Sequence, residues 1–130
     1  MGAFNQAMFL LNLAEQASPH IVGFENVKTS VEANIELGKQ VIDGKIDGLP
    51  KLLKFIEDPH MAEDFGSFYE LVKGDEKASA ALHIASYSCA FAARVVAERE
   101  GFKPLPDPVL EALPEVSDFF FEQAKLLKIA

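Results

Sequence analysis

Cysteine is almost absent from this chain of 130 residues. Cys89 stands alone, so an intramolecular disulfide and a zinc site built on four cysteines are both excluded. Basic residues are few: 12 Lys and Arg face 20 Asp and Glu, a formal charge of −8 at pH 7. A nucleic-acid duplex repels that field at long range, which argues against a reader of DNA or RNA. The same field favours solubility or a basic partner. Lys and Arg are missing before Lys28, so the apolar start from Phe4 to Leu11 lacks the charged region of a secretory signal. Gln6 stands where a myristoylation pattern needs Ser or Thr. The weakly polar stretch 78–97 is rich in Ala but carries Ser79, His83, Ser86, Ser88 and Arg94. That pattern suits a buried core helix better than a membrane span. A cytoplasmic protein without a membrane partner is the expectation.

Strand signals are missing as well. No run alternates β-branched with polar residues, and no Asn-Gly or Asp-Gly turn separates two alternating apolar runs. Helical spacing is what remains. Hydrophobic residues make up 49% and charged residues 25% of the chain, a globular balance. The expectation is one all-α domain over 1–130, with six or seven helices round a central Ala-rich one. Ala3 to about Ser18 reads as the first helix, ended by Pro19, because a residue before Pro resists the α region. Phe24, Val27, Val31, Ile35 and Ile42 place a second over about 25–43. Asp47 caps a short third, with Leu49, Leu52, Leu53 and Ile56 inward. Asp58-Pro59 opens a fourth, whose apolar face is Met61, Phe65, Phe68, Tyr69 and Val72. The longest runs from about Glu76 to Glu100 and stops at Gly101. Asp107-Pro108 opens a short helix through Leu113, and Pro114 opens the last, which ends near Lys128.

Catalytic motifs are absent. There is no Gly-rich phosphate loop, no Gly-x-Ser-x-Gly and no His-Glu-x-x-His. His60 with Glu63 and Asp64 forms a loose trio, which the dipole of a helix start explains better than a metal does. His20 stands alone. Cys89 sits among Ala and Ser with nothing cationic one turn away, which predicts a buried, inert thiol. On the longest helix His83, Tyr87 and Arg94 share a narrow stripe. These types can do acid–base work and hold an anion. With no nucleophile or paired carboxylate beside them, the plainer expectation is the one wet side of a packed helix. No cofactor, metal or catalytic residue is expected.

The charge is concentrated. Residues 57–76 hold seven acids and one base, and residues 104–124 hold five acids and no base. Solvation explains such segments in most proteins. An alternative is a face that captures a basic protein, speeding association while apolar anchors supply affinity. Glu63, Asp64, Glu70, Asp107, Glu111, Asp118 and Glu122 are its candidate charges. Reversing Glu63, Asp64 and Glu70 together should then leave stability nearly unchanged. Phe121 is its candidate anchor. Three consecutive Phe residues cannot share one stripe. With Val116, Phe119, Phe120, Gln123 and Leu127 inward, Phe121 points outward among Ser117, Asp118, Lys125 and Lys128.

The stretch Ala81-Leu82-His83-Ile84-Ala85 through Ala92-Ala93-Arg94-Val95, then Gly101, then Pro108-Val109-Leu110-Glu111-Ala112-Leu113, resembles a family of all-helical immunity proteins from bacterial polymorphic toxin systems. The likeness covers about residues 78–128. It implies a cytoplasmic protein that binds and neutralises a cognate toxin domain and has no catalysis of its own. A basic nuclease-type toxin fits the acidic composition. The alternative is a small helical enzyme or small-molecule binder that uses the stripe of His83, Tyr87 and Arg94.

Overall fold

The computed structural model describes residues 2–56, 64–101 and 118–129 and, within them, all side chains but those of Ile46, Asp118 and Phe119. Six α-helices make up most of these residues: α1 (Ala3–Ala17), α2 (Glu25–Ile42), α3 (Leu49–Ile56), α4 (Phe65–Val72), α5 (Glu76–Glu100) and α6 (Asp118–Leu126). There is no strand among the described residues. Short 3-10 turns at Ser18–His20 and Ile46–Gly48 join the first three helices. The fold is all-α, as the spacing predicts, and α5 is its axis.

Composition explains that central place. α5 packs against all five other helices. Fifteen of its 25 residues are buried, eight of them Ala, so neighbours approach its backbone from several sides. A helix apolar all round must lie inside, because no face of it prefers water. By length and composition α5 also passes for a membrane-crossing helix, and 78% of its most apolar window is buried by the surrounding chain. The ends are set locally. Asp75 accepts the backbone N–H of Ala78 at 3.0 Å, an N-cap that satisfies one orphan donor. Gly101 ends the helix in the left-handed region at φ 70°, where a side chain is strained.

The N-terminal helices pack on α5 and on each other. α1 buries Ala7, Leu10, Leu11, Leu13, Ala14 and Ala17, and α2 buries Val27, Val31, Ile35, Val41 and Ile42. They meet where Gly38 faces Leu11. A Cβ at Gly38 would stand 3.1 Å from Leu11 Cδ2, tighter than nine in ten real contacts, so the missing side chain lets Leu11 pack closely against α2.

Three boundaries differ from the sequence reading. The fourth helix does not run unbroken from Asp58. Asp64 is extended at φ −106°, ψ 175° and accepts the Ser67 N–H at 2.9 Å, so it is the N-cap of α4 and no helix passes through it. Asp47 lies inside the 3-10 turn Ile46–Gly48 rather than capping α3, which starts at Leu49. The last helix gives out at Leu126. Its buried side chains are Phe120 and Ala124, followed by Leu127; Gln123 is only half-buried. The helix expected at 107–113 lies outside the described residues.

Candidate functional site

The first half of α5 meets α4 on one flank and α6 on another. Phe68 and Val72 are the buried residues of α4, so Tyr69 and Lys73 fall to its side. Phe120, Ala124 and Leu127 do the same in and after α6, which turns Gln123 and Leu126 sideways. Between these flanks lies an open cavity of about 370 Å³. Tyr69, Glu76, Ser79, His83, Gln123 and Leu126 line it. Lys73 lines it too, with its ammonium 2.7 Å from Glu70 Oε2. That hydrogen bond and the carboxylate charge raise the Lys73 pKa above its ordinary value.

His83 is half-buried at this site. The rings of Phe65 and Tyr69 stand 5.4 and 5.1 Å from it, tilted by 59° and 57°. Burial among them pushes its pKa below the usual 6.5, because a charged imidazole loses hydration there. The imidazole is therefore neutral near pH 7, with one nitrogen a donor and the other an acceptor.

The stripe expected to be a wet side is therefore largely covered, and it is not one site. His83 belongs to the cavity beneath α4. Tyr87 lies under α6, 5.4 Å from the Phe120 ring and 6.5 Å from Phe91. Arg94 is about 16 Å further along the axis than His83, at 1.5 Å per residue, and its Nε donates to Glu98 at 2.9 Å. Periodicity places the three at one angle on the helix but does not say which neighbour covers each. Glu76 stands at the start of the same stripe and Ser79 falls beside it on α5, whereas Tyr69 and Gln123 join them only because α4 and α6 flank that helix.

The acidic candidates divide. Glu63, Asp107 and Glu111 lie outside the described residues, and so does the side chain of Asp118. Asp64 serves as a cap, so reversing it would not leave stability unchanged. Glu70 is exposed and paired to Lys73. Glu122 is exposed on α6. Phe121 beside it is 47% exposed, edge-on to the buried Phe120 with centroids 6.2 Å apart. It flanks the inward face at roughly 90° rather than standing opposite it.

Cys89 is fully enclosed, its thiol donating to the Asn34 carbonyl at 3.7 Å and pushed up to about 12 by burial. It is an inert core residue. No group of three or more His, Cys, Asp and Glu among the described residues is placed to hold a metal ion; His60 and Glu63 lie outside them. No protein-family model, curated protein or solved structure matches this chain.

Proposed function

We propose that this chain is a binding protein rather than an enzyme: an acidic, all-helical inhibitor of the immunity-protein kind. It acts in the cytoplasm and occludes a cognate toxin domain with a basic surface, such as a nuclease cleft. Phe121 is the observation that supports this most. A half-exposed phenyl ring beside the carboxylate of Glu122 has the form of an interface anchor with a charged rim. Its inner edge rests on Phe120, so a partner covers it without repacking the core. The net charge of −8 draws a basic partner in from a distance, and carboxylates occupy a surface built for phosphate.

Affinity capture from the native host, followed by an activity assay of the captured protein, tests this. The expected result is a basic enzyme whose activity falls to background with one equivalent of this chain. An enzyme captured but not inhibited, or an acidic partner, overturns it. The cavity at His83 favours a second reading, a small-molecule binder. A metabolite that raises the melting temperature of the isolated chain would support that reading instead.

A further inference from the structure

We infer that the cavity between α4, α5 and α6 receives the guanidinium group of an arginine side chain from the protein partner. The inference rests on the proposed binding of a basic protein and names the group that enters this chain. The charges of the lining decide the sign of the guest. Lys73 is matched by Glu70 at 2.7 Å. The carboxylate of Glu76 makes no hydrogen bond or ion pair among the described residues, and it is the charge left over. The surrounding field of a −8 chain adds to it. An anion is thus opposed at both short and long range.

The polar groups decide the shape. The side chains of Ser79 and Gln123 likewise lack a hydrogen-bond partner among the described residues, and both carry acceptor oxygens. A neutral His83 imidazole adds no positive charge to repel a cation. A guanidinium offers five donors in a planar fork, enough for a carboxylate, a hydroxyl and an amide at once, whereas an ammonium offers three from a point. The aromatic faces of Tyr69 and His83 and the apolar Leu126 suit the weakly hydrated guanidinium and its methylene stem. A volume of about 370 Å³ is ample for one such side chain with water.

N-acetyl-arginine amide, titrated into the full chain by NMR, probes the cavity without any partner. The expected result is movement of the His83 imidazole and Gln123 amide signals, with a dissociation constant on the order of 1–10 mM. Glu76→Gln should weaken it about tenfold through loss of a charge-assisted bond, with the fold confirmed by an unchanged circular dichroism spectrum. N-acetyl-lysine amide should bind more weakly and N-acetyl-glutamate amide not at all. No movement with the arginine probe, equal affinity in the variant, or a preference for the acidic probe overturns the assignment. A second arm uses the captured partner, whose affinity should also fall about tenfold with Glu76→Gln. An unchanged partner affinity overturns the partner's arginine as the occupant, even where the free probe binds. The titration needs no partner, so its outcome is separate from that of the proposed function.

Discussion

The hydroxyl of Ser88 on α5 lies 3.0 Å from the carbonyl of Leu10 on α1 and 2.7 Å from that of Ile84 one turn back. Both serine and leucine are buried completely. A single hydroxyl proton thus serves two acceptors, one of which ties the first helix to the central one. Leu10 keeps its ordinary helical partner, so the bond is an addition rather than a rescue. Ser88→Ala removes a hydrogen bond worth about 0.5–1.5 kcal/mol but gains up to about 0.5 kcal/mol in helix propensity. Denaturant unfolding should therefore show a net loss of about 0.5–1 kcal/mol. Ser88→Val should cost more, about 1–3 kcal/mol, because its extra methyl has no room between the two backbones.

Asp64→Ala and Asp75→Ala each remove an N-cap, from α4 and α5. Each should destabilise by about 1 kcal/mol, while Glu70→Ala, an exposed partner of an exposed lysine, should change stability by less than about 0.5 kcal/mol. Chemical denaturation of the three variants checks this. Asp64 and Asp75 losing no more than Glu70 would contradict the capping roles.

Charge reversal aimed at a partner should accordingly spare both caps. Phe121→Ala should weaken partner binding by about 2 kcal/mol or more. Its folding cost should stay below about 2 kcal/mol, under the 3–5 kcal/mol of a core Phe. Adding Glu122→Lys should slow association and flatten its salt dependence. A melting curve beside a binding titration separates these effects. Full affinity in Phe121→Ala would remove α6 from the interface.

Acid should weaken the fold through His83. Its folded pKa lies below the unfolded value of 6.5, so the unfolded chain takes up the proton first as pH falls. The stability it contributes is complete above 6.5 and is lost between that value and the lower folded one. Lys73 shares the cavity, and Glu70 raises its pKa, so it keeps its charge across this window. Unfolding free energies from about pH 7.5 to about pH 5.5 should fall more steeply for the natural chain than for His83→Gln. Parallel slopes would show that the imidazole is not held neutral.

Much of this fold was legible because its punctuation is chemical and local. α1 and α5 end within a residue of the expected places; Gly101 stops α5 in the left-handed region, whereas Ser18 before Pro19 keeps αR angles and α1 tightens into the 3-10 turn Ser18–His20 instead of breaking off. The start of α4 was placed too early because a cap-plus-Pro signature at Asp58-Pro59 does not reveal that Asp64, further along, is extended and caps a helix of its own. The exposure of Phe121 was legible, because three consecutive Phe residues cannot all face the core, although it flanks the inward face instead of opposing it. The cavity was legible only in part. Glu76, Ser79 and His83 share one side of α5, but Tyr69 and Gln123 complete the site only when α4 and α6 flank that helix.

The bond from Ser88 to Leu10 spans 78 residues of chain, and that separation bears on how the protein is made. A ribosome delivers α1 first. It can pair early with α2, where Leu11 meets Gly38, but the surface it shares with α5 has nothing to close on until the chain has grown to about residue 100. Until then Leu10 and its neighbours are exposed to water or to a chaperone, and a newborn chain cut short inside α5 is a set of four sticky helices without the one on which they pack. Completion of one late, alanine-rich helix thus commits the whole molecule at once, and folding during synthesis should be abrupt rather than gradual.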